Sequence, residues 1–135
     1  MKREIIATEK AQQHSVPYSQ AVKAGKFIFV SGQIPIDSST GKLVGEGIEE
    51  QTRQVLENIK AILEVAGASL DEIVKVTVFI KDMDDFVAMN KVYAQYFSEN
   101  FPVRCFVQVS KLPMDVKLEF EAVAALGVIG QVASH

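Results

Sequence analysis

In the segment IVKVTVFI, residues 73–80, apolar residues recur at every second position from Val74 to Ile80. This alternation predicts a half-buried β-strand that has one core face and one outer face. The core face would carry Val74, Val76, Val78 and Ile80, and the outer face Lys75, Thr77, Phe79 and Lys81.

Two helical patterns lie on either side of this strand. Ile48 to Ala66 repeats apolar residues at helical spacing, and Gly67 supplies a C-terminal stop. After the strand, the acidic run 82–85 offers N-cap oxygens and negative charge to a second helix, which ends before Pro102. The second helix is expected to bury Phe86, Met89, Val92 or Tyr93, and Tyr96 with Phe97.

The remaining segments predict further strands at 21–24, 27–33, 103–109 and 116–125, and a loop at 35–47, which is rich in Pro, Asp, Ser, Thr and Gly. The order is therefore β-β-α-β-α-β-β. The strand, helix and strand in its middle should form a right-handed parallel crossover. Two helices packed on one face of a mixed sheet, within a single domain over 1–135, is the simplest arrangement.

The other face of this sheet should be polar if the protein is a monomer. Phe79, Phe106 and Val123 lie at candidate outer positions, however. This pattern favours burial of the face against other copies of the chain. The alternative is a scatter of exposed apolar residues, which soluble proteins commonly have.

Composition indicates a soluble, cytoplasmic protein. The chain has 135 residues, 48% of them apolar, and a formal net charge of −3 without a basic patch, which disfavours a nucleic-acid partner. Its one cysteine cannot form an internal disulfide. The N-terminal MKREII lacks the apolar region of a signal peptide, and no apolar run approaches the roughly 20 residues that cross a bilayer.

The residues that could carry chemistry begin with Arg104, at the start of an otherwise apolar strand. A planar guanidinium can bind a carboxylate through two hydrogen bonds. Glu119 and Glu121 lie on one face of the last predicted strand, where two acids are costly unless they are paired or wet. Taken alone, these residues favour a cross-strand ion pair between Arg104 and a glutamate over a ligand site.

Three further positions could serve a site, and each has a structural alternative. Residues 31–33, Ser-Gly-Gln, could bind a small ligand or simply end a strand. Tyr18 could cover a pocket or anchor its loop. Cys105 points opposite to Arg104 and has no histidine to activate it, so we expect a small buried side chain.

Metal and triad chemistry have little support. His14 and His135 are the only histidines, and no Cys, His and carboxylate positions have metal-ligand spacing. A Ser-His-Asp triad would have to use His14, since His135 ends the chain. The glycine-rich fingerprints of phosphate-binding loops are absent.

Several motifs in the same order resemble the Rid family (reactive intermediate deaminases, also called the YjgF family), from about Ile5 to Leu126. The matching pieces are PYSQA at 17–21, VSGQIP at 30–35, QTRQVLEN at 51–58, VTVF at 76–79, the segment 86–93 with Asn90, PVR at 102–104, LP at 112–113 and EFEA at 119–122.

The resemblance implies a chorismate-mutase-like α+β fold with a single mixed six-stranded sheet, two helices on one face, and a homotrimer with clefts lined by two protomers. It implies a 2-iminobutanoate/2-iminopropanoate deaminase, which hydrolyses reactive 2-imino acids to 2-keto acids and ammonia. Enzymes that use pyridoxal phosphate, such as serine/threonine dehydratase, release the enamine precursors of these imines. No metal and no organic cofactor is implied.

By motif position, the resemblance also implies roles for individual residues. Arg104 corresponds to the carboxylate-binding arginine, and Glu119 to the acid that orients water or transfers a proton. Tyr18, Ser31 and Asn90 correspond to residues of the substrate pocket. These roles fit the chemistry, since a protonated imine needs mainly positioning, a water and a proton acceptor.

The backbone at Ser31-Gly32 and at Cys105-Phe106 is expected to hold the water or the leaving ammonia. Here the chain departs from the family, because many members read Arg-Ser-Cys where this chain reads Arg104-Cys105-Phe106. A phenyl ring at the usual cysteine position makes the pocket more apolar, changes its size and argues against a thiol role.

Two other functions remain open. The chain could be a non-catalytic trimer that binds a small carboxylate and regulates a partner. It could also be a ribonuclease or translation inhibitor, as proposed for some relatives, although the acidic balance and the lack of a basic patch weigh against RNA binding.

Overall fold

The computed structural model of the chain describes residues 2–11 and 16–128. Its strands are β1 (Arg3–Ile6), β2 (Ala21–Ala24), β3 (Phe27–Gln33), β4 (Ile36–Asp37), β5 (Lys42–Leu43), β6 (Ile73–Ile80), β7 (Val103–Gln108) and β8 (Leu118–Ala125). Its α-helices are α1 (Ile48–Val65) and α2 (Phe86–Tyr96). None of the helices in the described residues is long and apolar enough to cross a membrane.

The main sheet has six strands in the order β1-β2-β3-β8-β6-β7. All neighbours are antiparallel except β6 and β7, which are parallel and joined through α2. This confirms the mixed six-stranded sheet with two helices. The strand pattern read from the sequence lacked β1, and it assigned to a loop the segment in which β4 and β5 form a short hairpin.

The core lies between the helices and one face of the sheet, which we call the helix face. The α1 residues Val55, Leu56, Ile59, Ile62 and Leu63 are almost fully buried, as the helical spacing predicted. They pack with the alternate residues of the central strands. Those strand residues are Ile28, Val30, Val76, Val78, Ile80, Leu118, Phe120, Ala122 and Ala124.

A β-bulge at the start of β6 changes which residues reach the core. The register with β8 shifts between Ile73 and Lys75, so Ile73 is buried and Val74 is only half-buried. The prediction that Val74 lies on the core face is therefore wrong. A bulge adds one residue to the strand and reverses the alternation on one side of it.

Helix α2 begins as the acidic run indicated, through a short 3-10 turn at Met83–Asp85. The Asp82 side chain accepts a hydrogen bond from the backbone N–H of Asp84 at 2.9 Å, which caps that turn. Met89, Val92 and Tyr93 of α2 are buried. Phe86 and Tyr96, also expected in the core, remain partly exposed.

No helix of residues 2–11 and 16–128 lies over the opposite face of the sheet, which we call the open face. It carries large apolar side chains that are exposed or half-exposed in the single chain. They are Ile5, Phe27, Phe29, Phe79, Val103, Val107 and Val123. Phe106, which was also predicted here, lies on the helix face instead, because it pairs with the buried Val78 of the neighbouring parallel strand.

Candidate functional site

Arg104 lies on β7, the edge strand of the sheet, and its side chain is on the helix face. Its register partner on β6 is Val76, which is buried in the core. Its guanidinium therefore lies against α2, where Nη1 donates a hydrogen bond of 2.7 Å to Oδ1 of Asn90. Both residues were assigned to the predicted site separately, by motif position alone, and the structure brings them into direct contact.

Three aromatic rings surround the same guanidinium. Its central carbon lies 4.7 Å from the ring centroid of Tyr93, 5.3 Å from that of Phe106 and 5.9 Å from that of Phe86. Phe86 and Phe106 also pack edge to face, with centroids 4.7 Å apart. Cations are attracted to ring faces at these distances, so the rings hold the guanidinium in a fixed position. We call Phe86, Asn90, Tyr93, Arg104 and Phe106 the arginine cluster.

No carboxylate neutralises Arg104 in the described part of the chain. The described ion pairs join Lys81 to Asp115, Lys91 to Glu49 and Lys117 to Asp85. The cross-strand Arg–Glu ion pair that the residues alone favoured is therefore wrong, because Glu119 and Glu121 lie on the open face and Arg104 does not. A half-buried guanidinium with an amide partner and no counter-charge is suited to an incoming carboxylate.

Phe86 and Tyr93 are the members of this cluster that sequence reasoning assigned to the core and not to the site. Phe86, Asn90 and Tyr93 are spaced by four and three residues and so share one face of α2, a spacing that could have identified both. The Tyr93 hydroxyl is buried and makes no hydrogen bond of standard geometry among the described residues. Burial raises the pKa of Tyr93, and the positive charge of Arg104 and the approach of its N–H groups to the hydroxyl partly oppose that rise.

A cavity of about 340 Å³ opens beside the guanidinium. Its wall combines Arg104 and Asn90 with mostly apolar side chains: Tyr93, Ala94, Phe97, Phe101 and Pro102. The arginine cluster therefore has room next to it for a small organic acid.

Cys105 does not belong to this cluster. It lies on the open face and is exposed in the single chain, so the prediction of a small buried side chain is wrong. The reason is its strand: β7 is at the edge of the sheet, and nothing within the described chain covers its open face.

A second group of predicted site residues meets at a bulge in β3. Val30 pairs with Ala122 and Gln33 with Phe120, so Ser31 and Gly32 together oppose the single residue Glu121. Bulges of this kind re-aim side chains, and they are common beside active sites. The Glu119 side chain occupies the space in which a Cβ atom of residue 32 would lie.

Hydrogen bonds fix this bulge against the preceding loop. The Ser31 backbone N–H donates to the carbonyl of Gln20 at 2.9 Å, and its hydroxyl donates to the carbonyl of Ser19 at 2.6 Å. The buried side chain of Gln33 donates to the Ser31 carbonyl at 3.1 Å. The loop thereby brings Tyr18 near Glu119, close enough for their charges to interact.

The electrostatics of this group favour a carboxyl that holds its proton longer than usual. Burial raises the pKa of Glu119, and the negative charge of Glu121 raises it further. Burial likewise raises the pKa of Tyr18, with a smaller contribution from Glu119. We call Tyr18, Ser31, Gly32, Glu119 and Glu121 the acid cluster.

The two clusters lie on opposite faces of the sheet. Arg104 pairs with the buried Val76, whereas Glu119 pairs with Phe79 on the open face. One chain therefore does not bring its predicted carboxylate-binding and proton-accepting groups together. Among the described residues, no three His, Cys, Asp or Glu side chains are grouped as metal ligands would be. His14 and His135 lie outside the described residues.

These features define a class: an α+β protein with a mixed six-stranded sheet, an edge-strand arginine and a bulge-supported glutamate. The model of the family described as Endoribonuclease L-PSP matches residues 8–126. The chain belongs to this family, which is also called the Rid or YjgF family.

Individual relatives agree with this assignment. The chain is 60% identical over 124 residues to a RutC family protein of Pyrococcus abyssi, covering 92% of this chain and 98% of that one. It is 49% identical over 122 residues to the 2-iminobutanoate/2-iminopropanoate deaminase of Salmonella typhimurium, covering 88% and 94%. A crystal structure from Thermotoga maritima superposes with a TM-score of 0.91 at 52% identity, covering 95% and 100%.

Proposed function

We propose that this protein hydrolyses 2-imino acids, such as 2-iminobutanoate and 2-iminopropanoate, to 2-keto acids and ammonia. The observation that carries the proposal is the state of Arg104. Its guanidinium is bound by Asn90, surrounded by three rings and left without a carboxylate among the described residues. The Salmonella typhimurium relative is named as such a deaminase.

The active site is proposed to form between copies of the chain, in a homotrimer. Each chain supplies an arginine cluster on one face of its sheet and an acid cluster on the other. The proposed site is therefore not complete within one chain. The open face carries the acid cluster among exposed apolar side chains, including Phe29, which is 48% exposed. Apolar patches of this kind are typical of surfaces that a partner covers.

In this site, Arg104 holds the substrate carboxylate and thereby orients the C=N carbon. Glu119 accepts a proton from a water molecule as its oxygen bonds to that carbon and the C=N electron pair moves to nitrogen. Because the imine enters in its protonated form, this addition gives a neutral carbinolamine. Glu119 then returns its proton to the nitrogen, and the C–N bond breaks as the hydroxyl oxygen forms the C=O bond. The regenerated Glu119 carboxylate accepts the hydroxyl proton and passes it to the departing ammonia, which leaves as ammonium. The reaction consumes one water and needs no redox partner.

The raised pKa of Glu119 suits it to this exchange. A carboxylate with an ordinary pKa is a weak base near neutral pH, and partial burial strengthens it. Tyr18 and the Ser31-Gly32 backbone lie beside it and could hold the water or the leaving ammonia.

The test is an imine generated in the cuvette from an amino acid and followed in competition with semicarbazide. We expect the wild type to divert the imine to keto acid and Arg104→Ala to lose this activity while it keeps its assembly state. Full activity in an assembled Arg104→Ala protein would contradict the assignment. Running the assay with several amino acids, and with Phe106→Cys, reports which imine side chains the site accepts.

The same preparation separates the other candidate functions. A regulatory binding protein would bind keto acid saturably without speeding ammonia release. A ribonuclease would bind RNA with a strong dependence on salt concentration. The net charge of −3 makes the second outcome unexpected.

A further inference from the structure

The position of Gly32 in the β3 bulge calls for a physical reason. Gly32 does not have a positive φ, unlike Gly25, Gly41, Gly67 and Gly127. Its backbone conformation is therefore one that any residue could adopt. Glycine is therefore needed here because a larger residue would not fit, and not because the backbone requires its conformational freedom.

The space beside Gly32 is occupied by the side chain of Glu119. A Cβ atom at Gly32 would lie 2.9 Å from Cδ of Glu119 and 3.3 Å from its Cγ, with Oε2 closer still. These contacts are all with the far end of one flexible side chain, and none of the three nearest atoms belongs to the backbone. Adding a methyl group here would therefore displace the carboxylate and leave the strand in place.

The structure assigns to Gly32 the role of a positioning residue: its missing side chain is the space in which the Glu119 carboxylate is held for proton transfer. This inference rests on the proposed function, since it takes Glu119 as the proton acceptor. Gly32 thus acts by leaving room for the Glu119 carboxylate, in addition to any backbone contact with the substrate. The bulge and Gly32 work together, because the bulge turns this part of β3 toward Glu119 and the glycine lets the carboxylate approach.

The main experiment compares the wild type with Gly32→Ala in two measurements. In the semicarbazide assay we expect kcat to fall by about 10- to 100-fold with little change in KM, because a displacement near 1 Å misaligns the reacting groups while Arg104 still binds the carboxylate. In an NMR titration we expect the pKa of Glu119, raised in the wild type, to fall as its carboxyl moves into water. The titration needs no activity, so it tests the geometry even if the protein hydrolyses no imine.

Gly45→Ala is a matched control outside the site. A Cβ at Gly45 would crowd the end of one glutamate in the same way, with Cδ of Glu50 at 2.5 Å. We expect this variant to keep the wild-type rate and the raised Glu119 pKa. A similar loss of activity in both glycine variants would overturn the inference, because it would reflect general destabilisation.

A double variant tests whether the effect of Gly32→Ala on activity depends on Glu119. If Gly32 acts through the carboxylate, Gly32→Ala should cost far less in a Glu119→Gln background than in the wild type. Equal fold-losses in the two backgrounds would overturn the inference, as would an unchanged Glu119 pKa in folded Gly32→Ala. A rise in KM at unchanged kcat would also overturn it, because Gly32 would then act on substrate binding.

Discussion

The arginine cluster and the acid cluster are built by different means on the two faces of one sheet. Arg104 is fixed by packing: three rings and the Asn90 amide surround it on the side that the helices cover. Glu119 is fixed by the backbone, through a bulge and a glycine, on the side that no helix covers. The cation is therefore preorganised within one chain.

In the proposed trimer, the two clusters depend on assembly to different degrees. A guanidinium keeps its charge in any surroundings, so the single chain can hold it ready for a ligand. The carboxyl responds to its surroundings, and burial already raises the pKa of Glu119 in the single chain. In the trimer that we propose, a second copy over the open face would remove more water from this carboxyl and bring a guanidinium toward it, so assembly would be part of the chemistry.

The largest expected effect comes from inactivating the arginine cluster in one variant and the acid cluster in another. Arg104→Ala and Glu119→Gln should each lower kcat/KM by about 100-fold or more, since each removes one partner of a charged interaction with the reacting molecule. Co-expressing the two variants should restore part of the wild-type rate, because some interfaces would pair an intact arginine cluster with an intact acid cluster. The measurement is imine hydrolysis by the purified mixed assemblies.

The control for this experiment is a mixture of the two variants that were purified separately and not allowed to exchange subunits. It should show no recovery. If co-expressed assemblies stay as inactive as the single variants, the site does not combine clusters from two chains.

The second prediction compares a phenylalanine from each face. Phe120 is fully buried on the helix face, so Phe120→Ala should lower the free energy of unfolding by about 3–5 kcal/mol. Phe29 is 48% exposed on the open face, so Phe29→Ala should lower the stability of the single chain much less but weaken its assembly. Urea unfolding and analytical ultracentrifugation, both at matched protein concentration, measure the two effects.

A Phe29→Ala variant that assembles as tightly as the wild type at every concentration would argue against the open face as the contact between copies. The comparison between the faces would then reduce to burial alone.

The sequence predicted the core and the sheet better than it predicted the setting of the site. The periodicities of 48–66 and 73–80 identified α1 and β6, because each element buries a continuous apolar face. The faces on which the site residues lie depend on the strand order, which the hydrophobic pattern does not give. The side on which Arg104, Cys105 and Phe106 lie depends on pairing between β6 and β7, and alternation alone gives only their relative sides.

The hydrophobic pattern alone could not predict the two β-bulges either. The extra residue at 73–75 moved Val74 off the core face, and the one at 30–33 formed the acid cluster. Both depend on the partner strand β8, which lies far away in the sequence. The resemblance to the Rid family assigned Ser31 and Gly32 to the predicted site by motif. The close approach of the Glu119 side chain to Gly32 could be seen only in the three-dimensional structure.

The smallest expected effect is on stability and concerns the acid cluster alone. Because the folded pKa of Glu119 is raised, the unfolded chain ionises this group first as pH increases. Between the unfolded and the folded pKa the native state binds more protons, so the stability contributed by Glu119 falls with rising pH and stays lower above the folded pKa. Glu119→Gln removes this penalty. The variant should therefore be more stable than the wild type at neutral pH, and this advantage should shrink as the pH falls below the unfolded pKa.

Urea unfolding of both proteins across this pH range measures the effect. A Glu119→Gln protein that is less stable than the wild type at neutral pH would mean that its carboxylate is stabilised in the native state by a cation. In the trimer that we propose, that cation would be Arg104 of another copy. The sign of this small difference therefore reports whether the two clusters already meet in the absence of substrate.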